Sequence, residues 1–356
     1  MSALKYNWMI GLCIALFVMP PVFLAYISDP IVGDLTRLGY FPENDYGWNA
    51  PQIRYRNSHF DNVRPTDGYD IVVLGDSFSL DPNRSWVNTV ASTTGLRIAV
   101  QHHDAINIFQ IAHDRWDDPP QLYIFETAER RLFERMSLCH GKESRQKRGT
   151  TPLEVIMFDP NDPSINIVPE LRPHAVDLTN FPLGYYIKKV YSKYAEPHGE
   201  NQVLVEELKP HDLFTSVKSN FLLYYINENK KRRWPHDAVE QIKCGAAKLN
   251  RFARDVLRAN FLLLVMPDKS SIYAEYAINR TISSSRLHHL KESGDFLYVD
   301  LYEKLRNRVR DGEVDVYLPN DSHVSGRTHK FIGEVVVDHL VDAGVLKPGT
   351  HDYLAN

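Results

Sequence analysis

The stretch Asp70-Ile71-Val72-Val73-Leu74-Gly75-Asp76-Ser77-Phe78-Ser79 determines the fold that we expect of this chain. A short apolar run, rich in β-branched residues and bounded by turn residues, is typical of a strand that is buried on both faces. Such strands belong to parallel sheets, whose functional side chains lie beyond the carboxyl ends of the strands. Ser77 follows that end and Gly75 allows a tight turn, so the sequence predicts a serine hydroxyl at the edge of a sheet.

Apolar runs of similar length recur along the chain and predict further strands. These runs are 96–100, 122–125, 261–266, 297–301 and 316–318. Apolar residues at three- and four-residue steps predict a helix over 239–256, and a final helix is expected over about 326–343. Ser325 is a suitable N-cap for the final helix, and Gly344 follows its end. Alternating strands and helices predict an α/β domain built on a mostly parallel sheet.

A second polar segment, Asp321-Ser322-His323, follows the last of these runs. A serine, a histidine and an aspartate supply the nucleophile, the base and the orienting group of acyl-transfer chemistry. Residues two apart in an extended loop point to the same side, so Asp321 and His323 can both face Ser77. The sequence therefore predicts a catalytic triad that forms an acyl-serine. The backbone amide of Ser77 and the side chain of Asn107 are candidate oxyanion donors. The alternatives are a plain turn and a polar surface loop.

The N-terminal stretch 8–27 is almost wholly apolar and carries no charge. About 20 apolar residues are enough for a helix to cross a bilayer. Lys5 precedes the stretch and Asp29 follows it, which predicts a cytoplasmic N-terminus and an exported body. An uncleaved anchor is favoured over a cleaved signal peptide, because in Phe23-Leu24-Ala25 the bulky Phe23 stands where a small-x-small cleavage site needs a small residue. A buried soluble helix is the third alternative.

We divide the chain into a membrane anchor at 1–28, a stalk at 29–69 and a catalytic domain at 70–346. A polar region at about 140–235, rich in Pro and Tyr, is interpreted as an insertion beside the sheet that could cover the site or dock a partner. The basic run at 230–233 is expected to be a solvated face, with anionic polysaccharide or lipid headgroups as alternative contacts.

The composition argues against several classes of function. The net charge of −4 gives no general attraction to nucleic acid. No Gly-x-Gly-x-x-Gly or Walker loop occurs, so no nucleotide cofactor is expected, and the 15 histidines lack the spacing of a metal site. Of the three cysteines, Cys13 lies in the apolar stretch. Cys139 and Cys244 could form a disulfide in an oxidising compartment or remain buried thiols.

Together these segments resemble a known family. Gly75-Asp76-Ser77-Phe78 and Asp321-Ser322-His323 are similar to motifs of the SGNH hydrolase superfamily, in particular the branch that contains the alginate O-acetyltransferases. The blocks that strengthen the resemblance are Tyr123-Ile124-Phe125-Glu126 with Glu129-Arg130, Pro267-Asp268-Lys269 with Ile272-Tyr273, and the segment 317–326. The similarity covers about residues 70–135 and 215–345. The chain departs from the branch because the Asp-x-His block follows the serine block, and because Val324 stands where a tryptophan is usual.

The resemblance implies an αβα sandwich of SGNH or flavodoxin-like type, with Ser77, Asp321 and His323 as the triad. Members of the branch move acetyl groups onto exported polysaccharides. Together with the apolar N-terminal stretch, the resemblance predicts a membrane-anchored, exported O-acetyltransferase at the bacterial inner membrane, with its catalytic domain in the periplasm. A membrane-bound acyltransferase would deliver the acetyl group, and no cofactor or metal is expected. A carbohydrate O-acetylesterase and an inactive polysaccharide-binding scaffold are the alternatives.

Three residues are candidates for contacts with an acceptor sugar or an acidic group. Lys269 and Tyr273 follow the strongest predicted strand, on the same side of the sheet as Ser77. A solvated lysine and a packed tyrosine are the alternatives. Arg130 is the third candidate, although a structural ion pair with Glu129 is favoured for it.

Overall fold

The computed structural model describes residues 5–14, 19, 23, 29–55, 59–63, 68–103, 119–140, 153–157, 167–173, 183–194, 202–209, 212–279, 282–291 and 294–347. Residues 5–14 are helical, and 15–18, 20–22 and 24–27 of the predicted anchor lie outside the described residues. Within the described ranges, no helix combines the length and the apolar character needed to span a bilayer.

The described strands are β1 (Gln52–Tyr55), β2 (His59–Val63), β3 (Ile71–Gly75), β4 (Ile98–His102), β5 (Leu122–Ala128), β6 (Leu153–Met157), β7 (Ile167–Glu170), β8 (Val203–Glu207), β9 (Phe221–Tyr225), β10 (Asn260–Met266) and β11 (Leu297–Val299). From residue 29 onward, the described α-helices are α1 (Asp34–Gly39), α2 (Glu43–Tyr46), α3 (Trp86–Thr94), α4 (Glu129–Met136), α5 (Leu183–Tyr194), α6 (Ala238–Phe252), α7 (Lys269–Tyr273), α8 (Leu301–Arg310) and α9 (Gly326–Asp342).

The central sheet contains seven of the described strands, in the order β11-β10-β5-β3-β4-β6-β2. The first five run parallel to one another, while β6 and β2 are antiparallel to their neighbours. All five residues of β3 are buried, and so is β10 after its first residue. Both faces of the sheet are therefore covered, and the predicted α/β fold with a mostly parallel sheet is confirmed.

The strand order reverses at β3. The chain passes from β3 to β4 on one side, and then to β5, β10 and β11 on the other side. In open parallel sheets, such a reversal leaves a crevice outside the carboxyl ends of the strands. Ser77 comes just after the end of β3 and therefore lies at this crevice.

The final helix agrees closely with its prediction. α9 begins after Ser325, whose hydroxyl accepts a hydrogen bond from the Thr328 N–H at 3.2 Å. Gly344 has a φ of 69°, the left-handed conformation that follows many helix ends. Local signals suffice here, because the groups that cap a helix lie within a few residues of its ends. The N-cap and the terminating glycine are confirmed.

Two other predicted elements differ from the structure. The run at 316–318 forms no strand, because Tyr317 makes only an isolated bridge across a turn. The helix predicted over 239–256 ends as an α-helix at Phe252 and continues as a π-helical turn over Ala253–Leu257.

The regions interpreted as stalk and insertion both contribute to the folded domain, which corrects their separation from it. β6 lies within the predicted insertion at 140–235, yet it pairs with β4 and β2 in the central sheet. β1 comes from the predicted stalk at 29–69 and pairs with β7. Strand pairing joins segments that are distant in sequence, so composition alone could not reveal these partners.

The structure joins Cys139 and Cys244 in a disulfide, with their Cα atoms 6.2 Å apart. Cys139 follows α4, and Cys244 lies on α6. The two helices approach closely, since a Cβ atom on Gly245 would lie 1.8 Å from the carbonyl oxygen of Met136. Only glycine fits this approach, and the disulfide then ties the two helices together.

Candidate active site

Ser77 sits on a turn at the carboxyl end of β3. The Ser79 N–H donates to the Asp76 carbonyl at 2.9 Å and closes the turn. Ser77 is exposed, whereas Asp76, Phe78 and Ser79 are buried. The turn therefore presents one hydroxyl to solvent while its neighbours are held in the core. The next α-helix along the described chain, α3, begins at Trp86.

The structure brings together the three residues of the predicted triad. His323 Nε2 lies 2.7 Å from Ser77 Oγ, and His323 Nδ1 lies 2.6 Å from Asp321 Oδ1. Ser77 and His323 are 246 residues apart in sequence. The Phe78 ring packs against the imidazole with ring centroids 4.8 Å apart. Carboxylate, imidazole and hydroxyl thus form one continuous hydrogen-bonded chain.

The loop that carries the aspartate and histidine is a tight turn, which corrects the expectation of an extended loop. The Leu318 N–H donates to the His323 carbonyl at 3.1 Å, so the chain reverses between them. The His323 N–H also donates to Asp321 Oδ1 at 3.0 Å. One carboxylate therefore holds both the backbone and the ring of the histidine, which limits how the imidazole can rotate.

The charges of the triad stabilise each other. Burial acts to lower the pKa of His323, but the charge and hydrogen bond of Asp321, together with Asp34, outweigh it and raise that pKa to about 9. Burial acts to raise the pKa of Asp321, and the charge and hydrogen bonds of His323 outweigh it, so the pKa falls well below its usual range. The site therefore favours an imidazolium beside a carboxylate, the pair that forms when a base removes the serine proton.

A second carboxyl group, Glu126 on β5, supports the turn of residues 76–79, called the nucleophile turn below, from the buried side. Its Oε2 accepts hydrogen bonds from the Asp76 N–H and the Ser79 hydroxyl, each at 2.8 Å. A Cβ atom on Gly75 would lie 2.9 Å from that oxygen and 2.5 Å from Ser79 Oγ, so glycine is required at this position. Burial, and then the charge of Asp76, raise the pKa of Glu126 well above its ordinary value. The neutral acid is favoured here.

Asp76 has a structural role in the turn, which is the role that the sequence indicated. Its Oδ2 accepts hydrogen bonds from the Ala128 N–H at 3.1 Å and from Arg135 at 3.2 Å. Burial acts to raise the pKa of Asp76, but the charges of Arg135 and Arg130 outweigh it and lower that pKa. The carboxylate therefore ties the nucleophile turn to the N-cap residue of α4 and to an arginine in the last turn of that helix.

Lys269 and Tyr273 do not face a substrate, which corrects the expectation that they bind one. Lys269 is only 1% exposed, and its Nζ donates to carbonyl oxygens of Leu318, Pro319 and Asp321 at 2.7, 2.9 and 3.1 Å. Tyr273 is fully buried. Its hydroxyl accepts a hydrogen bond from the backbone of the same loop. Both side chains support the loop from the interior.

Arg130 forms a structural ion pair, although with a different partner from the one expected. Its Nη1 lies 3.1 Å from Asp268 Oδ1. Glu129 instead accepts hydrogen bonds from the Asp268 N–H at 3.0 Å and from the Ser271 hydroxyl at 2.6 Å. The two neighbouring residues therefore hold the start of α7 against the start of α4.

The basic run at 230–233 is not uniformly solvated, which corrects the expectation for one of its members. Lys231 is only 4% exposed and lies 3.1 Å from Asp268 and 3.6 Å from Glu129. The other three residues of the run are exposed. Burial acts to lower the pKa of Lys231, and the surrounding carboxylates outweigh it and raise that pKa.

The sequence named two candidate oxyanion donors, the side chain of Asn107 and the backbone amide of Ser77. Asn107 lies outside the described residues. Among the described residues, none accepts a hydrogen bond from the Ser77 N–H.

Asp34, at the start of α1, is a site residue that the sequence did not reveal. Its N–H donates to Asp321 Oδ2 at 3.1 Å, and its Oδ1 accepts the Ser322 N–H at 2.7 Å. Its Oδ2 lies 4.0 Å from His323 Nδ1. Burial and the Asp321 charge raise the pKa of Asp34 to about 6, against the opposing effect of His323. No local signal could have identified a contact that spans 287 residues.

Asp34, Asp321 and His323 offer ligand atoms that all lie within 4.8 Å of one another. Metal ligands at about 2.0–2.1 Å in tetrahedral geometry are roughly 3.3 Å apart from each other. The 2.6 Å between His323 Nδ1 and Asp321 Oδ1 is shorter than that and is the distance of a hydrogen bond. The geometry of this trio fits a triad with a second carboxylate better than a metal centre.

Comparisons with protein-family models, with curated proteins and with solved structures find no match to this chain. A functional assignment therefore depends on the geometry of the site and on the sequence motifs.

Proposed function

We propose that this chain is a serine-dependent O-acetyltransferase of SGNH type that transfers acetyl groups to a polysaccharide. The observation that carries the proposal is the hydrogen-bonded chain from Asp321 through His323 to the exposed Ser77 hydroxyl. Its position at the reversal of strand order supports the proposal, because ligands of open parallel sheets bind there. The order β4-β3-β5-β10-β11 is the flavodoxin-like order, which supports an αβα sandwich.

In the proposed reaction, His323 Nε2 removes the Ser77 proton while Oγ attacks the acetyl carbonyl carbon of the donor. The resulting oxyanion is stabilised by the Ser77 backbone amide. When the tetrahedral intermediate collapses, the donor's leaving oxygen takes the proton from His323, and an acetyl-serine remains. An acceptor hydroxyl then gives its proton to His323 and attacks the acetyl-serine. Ser77 Oγ leaves and takes that proton back.

The compartment is part of the same proposal. The Cys139–Cys244 disulfide fits an oxidising compartment. The uncharged apolar stretch at 8–27 fits a single membrane anchor. We therefore place the catalytic domain in the periplasm of a bacterium, anchored to the inner membrane. A membrane-bound acyltransferase would supply the acetyl group from the cytoplasmic side.

Hydrolysis of carbohydrate acetyl esters is the second candidate function. The observation in its favour is the exposure of Ser77, because water can reach an acyl-serine that faces solvent. Water and a sugar hydroxyl would both give up their proton to His323, so one triad serves both reactions.

The test compares wild-type protein with Ser77→Ala, using an activated acetyl ester with and without an oligosaccharide. We expect Ser77→Ala to lower acetyl transfer by at least about 10³-fold, since the nucleophile is lost. Ser284→Ala is the matched control, because that serine is exposed and lies outside the site. It is expected to keep wild-type activity.

The products separate the candidate functions. Acetylated oligosaccharide supports the transferase, and free acetate alone supports the esterase. Turnover by Ser77→Ala at the wild-type rate would exclude both. A wild-type protein that binds oligosaccharide, yet neither turns over the ester nor reacts with a serine-directed phosphonate, would be the inactive scaffold.

A further inference from the structure

Helix α1 is hydrogen-bonded directly to the loop of residues 318–323, which carries Asp321 and His323 and is called the catalytic loop below. The N–H groups of Leu35 and Thr36, in the first turn of α1, donate to the Asn320 carbonyl at 3.1 and 3.2 Å. The Asn320 side chain donates in turn to Glu43 on α2. Gly33 packs so closely that a Cβ atom there would lie 2.0 Å from the same carbonyl oxygen. The position of the loop therefore depends on residues of α1 and α2 that lie far from it in sequence, 277 positions away for Glu43 and Asn320.

Asp34 lies at the centre of this contact. Its carboxylate accepts both the N–H and the hydroxyl of Ser322, the residue between the aspartate and histidine of the triad. Its own N–H donates to the Asp321 carboxylate. A carboxylate in the first turn of a helix often stabilises that helix, because its negative charge lies near the positive end of the helix dipole. The hydrogen bonds of the Asp34 side chain instead go to the loop, which points to a role outside the helix.

We propose that Asp34 is a positioning residue that holds the catalytic loop so that His323 Nε2 faces Ser77. Its negative charge also stabilises the imidazolium form of His323. The inference rests on the proposed function, in which His323 is the base. Its support is the 4.0 Å distance from the Asp34 carboxylate to His323 Nδ1, on the side of the ring away from the serine. A carboxylate at this distance favours the protonated ring.

The imidazole has several charged or titratable neighbours, and their signs matter for the test. The groups around His323 and its loop are Asp321 on the loop itself, Asp34 on α1, Arg130 on α4, Lys269 on α7 and His329 on α9. The two carboxylates favour the imidazolium, and Arg130 disfavours it. Burial and the His323 charge lower the pKa of His329 to about 3, so that ring is neutral at ordinary pH.

The experiment uses Asp34→Asn, which preserves the size of the side chain and its acceptor for the Ser322 N–H while removing the charge. NMR of the imidazole gives the His323 pKa without any substrate. We expect the proton affinity of His323 to fall by about tenfold. The rising limb of kcat/KM against pH should move to lower pH by the same amount, and kcat at the high-pH plateau should fall at least about tenfold with little change in KM.

Ser322→Ala separates positioning from charge. It removes one of the two loop donors to Asp34 but leaves the carboxylate in place, so we expect a lower plateau with the pH limb close to that of the wild type. Asp45→Asn, a charge removal on the neighbouring α2, is the matched control and should change neither readout. If Asp34→Asn does not fold, the Ser322→Ala plateau decides, and an unchanged plateau there overturns the inference.

The outcomes also separate this inference from the proposed function. A His323 pKa and pH profile that are the same in Asp34→Asn and in wild type overturn the role of Asp34, even if acetyl transfer is observed. A wild-type protein with no acetyl transfer, but with a His323 pKa that falls in Asp34→Asn, removes the proposed function and retains the electrostatic contact.

Discussion

In the proposed reaction, His323 must be neutral before it can accept a proton from Ser77, and the charges around it oppose that neutral state. Partial burial favours the neutral ring, but Asp321 and Asp34 outweigh it and raise the pKa to about 9. The folded-state pKa is thus above the ordinary value of about 6.5. The associated stability is fully present below about pH 6.5 and is lost as pH rises through about 9. Over the same pH range, the fraction of neutral His323 rises while this contribution to stability is lost.

The expected consequence is a rate that rises with pH. Below about pH 9, kcat/KM of the wild-type protein should increase about tenfold per pH unit, because one proton must leave His323. Above that pH it should level off. Initial rates with an activated acetyl ester, corrected for its spontaneous hydrolysis, provide the measurement. A profile that is already flat from pH 7 upward would show that the carboxylates do not raise the pKa of the ring as described.

At the scale of elements, the site depends on how closely α1 can approach the catalytic loop. Gly33 precedes α1 with an ordinary negative φ of −83°, so glycine is needed there for space and not for an unusual backbone conformation. The atom nearest to an added Cβ would be the Asn320 carbonyl oxygen at 2.0 Å. A backbone atom cannot move aside by changing a rotamer, so the whole helix or the whole loop would have to shift.

The added methyl group of Gly33→Ala should therefore displace α1 or the catalytic loop and disturb the site. We expect kcat/KM to fall at least tenfold and the free energy of unfolding to fall by about 1–3 kcal/mol, the usual cost of overpacking. Gly184→Ala is the control, because nothing lies within 4 Å of a Cβ atom at that position on α5. Steady-state kinetics and urea unfolding measure the two effects. Equal activity in the two variants would mean that α1 does not set the position of the loop.

In the molecule as a whole, the candidate site lies at the carboxyl ends of the parallel strands, and the disulfide lies towards their amino ends. The nucleophile turn and the start of α4 lie at the carboxyl edge. α4 runs from that edge towards the other, and the disulfide at Cys139 follows its end. The disulfide closes a loop of 105 residues, which contains β6 to β9. It should therefore affect the stability of the fold far more than the chemistry at Ser77.

Removing the disulfide tests this division. The double variant Cys139→Ser with Cys244→Ser should lose about 2–5 kcal/mol of unfolding free energy, as expected for a native disulfide that closes a long loop. Under native conditions, its rate of labelling by a serine-directed phosphonate should stay within about threefold of wild type. Reductant should lower the stability of the wild type but not of the double variant. A large loss of labelling with little loss of stability would contradict the division.

Features that depend on neighbouring residues along the chain could be predicted from the sequence. The apolar runs of β3 and β10, the caps of α9 and the two motif segments could all be predicted, because a strand period, a helix cap or a turn involves residues only a few positions apart. The α/β class followed from the alternation of these elements. The serine, the aspartate and the histidine could be named in advance, whereas their meeting in space could only be proposed.

Contacts between residues that are distant in sequence became known from the folded structure. Lys269, which we expected to contact a substrate, instead donates hydrogen bonds to the catalytic loop. Glu126 accepts a hydrogen bond from Ser79 in the nucleophile turn. The fold also brings Asp34 to the histidine from the segment interpreted as a stalk. These partners are separated by tens to hundreds of residues, and no local periodicity encodes them. They form because the packed sheet and its helices enforce the contacts, and because buried polar groups must then find partners.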